Sequence, residues 1–365
     1  MTALNDARTD PNTQARFAAQ RLAYAPLMFQ ACRALRDLGL LEKLAQSRAH
    51  GLTAKEAVEK TGVTAYAAAL LLEAGLASGL CDSTTTSELE PRFTITPMGM
   101  YWLRDPLTRV NAEFNHHVCY HGAFSLREAL LEGRPAGLPS IDTTGARTVY
   151  EALRSLPEDV KRAWFDFDHF YSDGVFEACL PRVLTPEVRQ LVDIGANTGR
   201  FAQLVLGRSP DVKVTLVDLP GQLAVAQETL AEHRSRTTFA PTNLLDPQAP
   251  LPAGADAYWL SQFLDCFGEE EIVSILSRVR AAMRDDSRVF ILETFWDLQQ
   301  HDAARFCVIG TSLYFACIAN GNSRMYHSQV MTRLAAKAGL RVVTLVPHLG
   351  VSHSLMELRA FPSKR

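Results

Sequence analysis

Leu191-Val192-Asp193-Ile194-Gly195-Ala196-Asn197-Thr198-Gly199 carries an apolar run into a loop bounded by two glycines. A nucleotide-type ligand binds where the first strand of a doubly wound sheet meets its first helix. Glycines let the backbone approach the ligand there, and the helix N-terminus offers free amides. Gly195 and Gly199 suit that role behind Asp193, and Asn197 between them is a residue type that tolerates a left-handed backbone. The spacing is G-x-x-x-G, not the G-x-G-x-x-G of a dinucleotide site, so the loop alone indicates only a nucleotide-like ligand. Asp218 strengthens it. It closes the next apolar run, nineteen residues past Gly199, where a carboxylate can accept both hydroxyls of a ribose.

Working outward, short apolar runs recur at 190–193, 212–218, 256–260, 289–293, 342–346 and 355–358, most of them separated by amphipathic stretches such as 270–283. That alternation predicts an open, mainly parallel α/β sheet. The last two runs are too close for a helical crossover, so the sheet should end in an antiparallel pair. Upstream, 12–131 reads as helical. Thr53 stands three residues before Glu56, a capping box, and 61–64 makes the next turn, which is helix-turn-helix grammar. Strand signals at 79–81 and 92–96 flank a polar stretch, 82–90, as in the wing of a winged helix. The expected organisation is therefore a winged-helix-like domain over 1–115, connecting helices over 116–182, and a nucleotide-binding Rossmann-like domain over 183–365.

With 365 residues and 47% hydrophobic content, the chain can bury two cores. Its net charge of −3, with both signs interspersed, gives no footprint for nucleic acid or an anionic membrane. The second helix of the helix-turn-helix pair, 65–74, carries no Lys or Arg with which to meet phosphates, so packing or dimerisation is expected there. Seven scattered cysteines without C-x-x-C or His-rich spacing suggest reduced thiols in a cytosolic protein and no metal site. Residues 1–10 show no targeting signal, and the uninterrupted apolar runs fall short of a membrane span.

Together, 191–199, Val217-Asp218-Leu219-Pro220, 255–261 and Phe290-Ile291-Leu292-Glu293 resemble the plant- and bacterial-type small-molecule O-methyltransferases, over nearly the whole chain. That resemblance implies a class I S-adenosylmethionine-dependent enzyme, a homodimer in which 1–115 is the winged-helix dimerisation domain, the helices of 116–182 line the acceptor pocket and 183–365 is the cofactor-binding methyltransferase domain. It also implies that Asp218 and Leu219 hold the ribose, that Asn243 and Leu244 flank adenine, and that Ser261 approaches the methionyl end. Where the family has Gly-Asp before the adenine, this chain has Thr242-Asn243, which keeps a hydrogen-bonding side chain with another donor pattern.

The resemblance also marks a departure. O-methylating relatives have Leu-His-Asp-Trp after the fourth strand, with the histidine deprotonating the acceptor; here the segment is Leu264-Asp265-Cys266-Phe267. Glu293 matches one carboxylate that orients the histidine, and the second falls on Ser323. The segment 261–267 also resembles, more faintly, methyltransferases of bacterial aryl-polyene clusters, which implies an aromatic acceptor. An aspartate, with an ordinary pKa of about 3.9 against about 10 for a phenol, is an effective base only if burial raises it. Three readings stay open. Asp265 is a tuned base for O-methylation or ring C-methylation; or an amine, thioether or carboxylate attacks by proximity alone; or the fold serves a non-methyl, structural or regulatory role.

His169, flanked by Asp166 and Asp168, is a second candidate base or a histidine merely held by its neighbours. The remaining acceptor candidates are His117 and His121, which share one face of an expected helix, and Tyr171, Tyr314, Asn320 and Arg324, which suit a planar ring or a carboxylate.

Overall fold

In the computed structural model, which describes residues 10–84 and 90–362, Thr53 caps the helix Ala54–Thr61 through the full capping box with Glu56. Gly62 ends that helix in the left-handed region. The next helix, Ala65–Ser78, leaves at 117° to it. The wing follows as β1 (Cys81–Thr84) paired antiparallel with β2 (Arg92–Ile95), later in the chain than the 79–81 signal; residues 85–89 lie outside the described residues. Leu52 bridges Phe93, and Arg92 pairs with Glu56 at 2.9 Å, which ties the helix pair to the wing. Leu35, Leu41, Leu44, Leu72 and Leu80 form the small core of this unit. It extends to Ala112. A second compact unit begins at Glu113, so the connecting helices fall in the same unit as the sheet.

That second unit is built on seven strands: β3 (Gln190–Ile194), β4 (Lys213–Asp218), β5 (Thr237–Pro241), β6 (Ala257–Ser261), β7 (Arg288–Glu293), β8 (Leu340–Leu349) and β9 (His353–Ala360). Their order is β5-β4-β3-β6-β7-β9-β8, and the first five are parallel. β9 runs antiparallel to both β7 and β8, the expected terminal pair. The sequence runs missed one strand. β5 sits at the edge, is half-exposed, and carries two threonines and a proline around Phe239, so it lacks the continuous apolar pattern of strands buried on both faces.

Two cores sandwich the sheet. On one face Val192, Tyr258, Leu260 and Ile291 meet the helices Glu269–Ala282 and Ser328–Lys337. On the other, Leu191, Trp259 and Phe290 meet Phe176–Val183, Arg200–Arg208 and Pro220–Thr229. A third cluster joins residues of 114–164 with Tyr314, Phe315 and Ile318. The helical stretch Asp302–Ala319 is long and apolar enough by composition to cross a membrane, yet Tyr314, Phe315, Cys317, Ile318 and Ala319 near its end are buried in that cluster.

Trp259 is fully buried, and its ring stacks on Phe201 at 3.9 Å with 10° between planes. Phe201→Ala should therefore destabilise the sheet unit by about 3–5 kcal/mol, read as a lower denaturant midpoint. A loss within experimental error would show that this stack does not anchor the first helix to the sheet.

Candidate active site

Four polar residues stand at the carboxyl ends of four neighbouring parallel strands: Asp193 on β3, Asp218 on β4, Ser261 on β6 and Glu293 on β7. The chain winds in opposite directions on either side of β3 and β6, which opens a crevice at this edge of the sheet. In that crevice lies a cavity of about 890 Å³.

At one end the glycine loop turns over the edge with Gly195 at φ 75°, Asn197 at 47° and Gly199 at 81°. A Cβ on Gly195 would come within 2.2 Å of the Phe263 ring, so only glycine fits there. Asp218 accepts the Asn197 amide at 2.8 Å and the Leu219 amide at 2.7 Å, one on each oxygen. Leu219, Asn243 and Leu244 continue the wall. Asn243 accepts the Leu245 amide at 3.0 Å through its side-chain oxygen. Beside the main cavity a smaller hollow is lined by Asp168, His169, Asp193, Asn197 and Ser261. Here Asp193 Oδ2, Asn197 Oδ1 and Ser261 Oγ are buried without a partner among the described residues, an arrangement that calls for a polar ligand. Burial, with Asp218 nearby, pushes the Asp193 carboxyl up to about 8.

The other end is aromatic. Phe114 and Phe167 stack at 4.0 Å, and the Trp164 indole donates to the Tyr314 hydroxyl at 2.7 Å. Asp265 enters this wall on the turn Leu264–Cys266 and is 5% exposed; burial pushes its carboxyl up to about 7. Glu293 lies behind that turn and is not part of the wall. Its Oε1 accepts the Phe263 amide at 3.0 Å and the Leu264 amide at 2.8 Å, which fixes the turn to the end of β7. Asn320 braces the same turn by donating to the Cys266 carbonyl, while its own oxygen accepts the Ser323 hydroxyl at 2.9 Å. The Tyr326 hydroxyl donates to the Phe267 carbonyl at 2.6 Å.

Several expected residues are placed elsewhere. His117 lies on a π-helical turn, Asn115–Cys119, within 3.3 Å of Glu113 and 3.2 Å of Asp159, and neither it nor His121 lines the cavity. Tyr171 packs on Phe167 at 4.9 Å, outside the wall. Arg324 is ion-paired with Glu269 at 3.2 Å and lies over the Tyr326 ring, so its charge is used at the surface. Asn320 does reach the wall, but its side chain is engaged by the Cys266 carbonyl and Ser323. His169 stacks on Phe165 at 5.8 Å and lines only the smaller hollow, across from Asp193 and Ser261. Tyr150, Trp164 and Met325 line the cavity without a sequence motif to announce them, and Phe167 lines it from the stretch 166–171 that also holds His169. Among the described residues, no group of three or more His, Cys, Asp or Glu is arranged to hold a metal ion.

The comparisons with known proteins agree with this geometry. Residues 158–341, about half the chain, match an O-methyltransferase domain, and 16–86 match a Dimerisation2-like domain. The O-methyltransferase SfmM3 of Streptomyces lavendulae is 25% identical over 352 residues, 88% of this chain and 94% of that protein. The phenazine-1-carboxylate N-methyltransferase of Pseudomonas aeruginosa is 27% identical over 177 residues, 48% of this chain and 50% of that protein. Among solved structures, the mitomycin 7-O-methyltransferase MmcR superposes with a TM-score of 0.68 at 19% identity, over 96% of this chain and 99% of that one. The sheet order, the glycine loop closed by Asp218 and the matched domain lead to one conclusion: the chain belongs to the O-methyltransferase family.

Proposed function

We propose that this chain transfers a methyl group from S-adenosylmethionine to an oxygen, or an activated ring carbon, of a small planar metabolite. The observation that carries the reading is one continuous cavity with Asp218 and the glycine loop at one end and Asp265 in an aromatic wall at the other. The residues present fit the cofactor. Asp218 keeps lone pairs for two ribose hydroxyls after accepting its two amides, and Leu219, Asn243 and Leu244 offer a slot for the base. Asp193, Asn197 and Ser261 provide the buried unpartnered atoms that an amino-acid end would satisfy. When bound, the cofactor supplies an electrophilic methyl on a sulfonium.

The acceptor lies against Phe167, Tyr314 and Met325, and alignment with the methyl supplies much of the rate. With the cofactor bound, Asp265 would take the acceptor's hydroxyl proton, leaving an oxygen able to displace the sulfonium sulfur from the methyl carbon. Raising the Asp265 carboxyl to about 7 roughly halves its pKa gap to a phenol, usually about 10, which makes that transfer feasible. Charge further limits the acceptor. The lining arginines, Arg134 and Arg147, are exposed and paired with glutamates, so nothing buried awaits a carboxylate, and a neutral or cationic ring is favoured. Nitrogen methylation by proximity is the second reading, supported by the N-methyltransferase among the relatives.

We also infer a homodimer in a reducing compartment such as the cytosol. Leu22, Tyr24 and Leu27 are exposed on the helix Pro11–Asp37 of the Dimerisation2-like region, and seven free cysteines suit reduced surroundings. Sedimentation at twice the chain mass would support the dimer, and a monomer at micromolar concentration would refute it.

Calorimetry should show micromolar binding of S-adenosylmethionine or its demethylated product, lost in Asp218→Ala; no binding by the wild type would sink the proposal. Turnover of the acceptor should rise with pH through about 7 as Asp265 ionises. Asp265→Asn should lower it by about 10²–10⁴-fold and remove that limb. Near-normal turnover in Asp265→Asn would select the proximity reading.

A further inference from the structure

We propose that Asp265 and Glu293 form a carboxyl pair that holds a single proton at neutral pH, with the proton on Glu293, so that Glu293 serves as a buried acid behind the ionised Asp265. The proposal starts from their placement. Glu293 is 2% exposed at the end of β7 and is joined to the turn that carries Asp265 through two amides on Oε1. Its Oε2 is buried and accepts no hydrogen bond among the described residues. Asp265 is 5% exposed on the cavity side of that turn. The titratable groups that face the pair are Cys266 on the turn itself, Tyr150 from the helix Val149–Ala152, and Tyr326. All three are neutral at pH 7 in an apolar setting, and among the described residues no lysine, arginine or histidine shifts either carboxyl.

Two buried anions at such a site, without a cation, repel each other and each lose hydration, so one carboxyl keeps its proton. The choice between them follows from access to water. Asp265 borders a cavity open to solvent, which favours its charge, and the Cys266 thiol lies 3.5 Å from it. Glu293 is sealed behind the turn; both amides fall on Oε1, at 3.0 and 2.8 Å, and leave the buried Oε2 without a partner among the described residues and free to carry the proton. As pH rises, Asp265 ionises first. Its new charge, added to burial, then holds the second proton on Glu293 and pushes that carboxyl well above its ordinary range. In O-methylating relatives the carboxylate at this position orients a histidine; with aspartate in the histidine's place, the same residue has no cation to orient and takes up a proton. Glu293 is thus a positioning residue. Its importance for turnover rests on the reading of Asp265 as base, whereas the protonation of the pair does not.

Carboxyl-carbon NMR titration of the full chain, without any acceptor, tests the pair. Glu293→Gln and Asp265→Asn assign the two signals, and Gln keeps the oxygen that accepts both amides. The wild type should show Asp265 titrating near neutrality and Glu293 above it. Asp265→Asn should lower the Glu293 step by about one unit or more, while Glu293→Gln should leave the Asp265 step in place. Glu293 titrating in the ordinary glutamate range in the wild type, or remaining unmoved in Asp265→Asn, would overturn the proposal. If both steps fall as expected while Asp265→Asn turns over normally, the pair stands and only the base reading fails.

Discussion

The alignment of four strand ends at one edge of a parallel sheet is the constraint on which this molecule's chemistry depends. Parallel strands buried on both faces send their carboxyl termini the same way, and the helices that cover those faces leave only the ends open. Asp193, Asp218, Ser261 and Glu293 therefore gather without any motif linking them in sequence. Each fills a different need at that edge. Asp218 gathers the amides of the loop, Glu293 gathers those of the neighbouring turn, and Asp193 and Ser261 keep polar atoms in reserve.

On the proposed reading of Asp265 as base, this edge also accounts for an aspartate at the position where the resemblance implies a histidine. A carboxyl at the cavity wall could not act as a base in water-like surroundings, because its affinity for a proton would be too low. Here burial beside the aromatic cluster around Trp164 and Tyr314 favours the protonated form and brings Asp265 into the range where proton exchange with a hydroxyl is feasible. On that reading, replacing histidine by aspartate changes the electrical state of the whole turn, not one side chain.

Much of this was legible in the sequence, and the gaps have physical causes. Central strands read clearly because burial on both faces demands continuous apolar runs; β5 did not, since an edge strand needs only Phe239 on its inner side. The glycine loop and Asp218 read clearly as strand-end features because glycine and aspartate requirements are local to strand ends. The acceptor wall did not, because Phe114, Tyr150 and Trp164 come from helices whose periodicity is the same whether they face a core or a cavity. Arg324 and His117 looked available in sequence, but carboxylates distant in sequence, Glu269 and Asp159, engage them in the fold.

The contact between Gly195 and the Phe263 ring ties these two ends together. The bare backbone of the loop and the residue leading into the Asp265 turn occupy one shared volume. Neither can be reshaped without the other: a bulkier residue in the loop would push on the ring that leads into the turn, so the cofactor loop and the acceptor turn form a single mechanical piece.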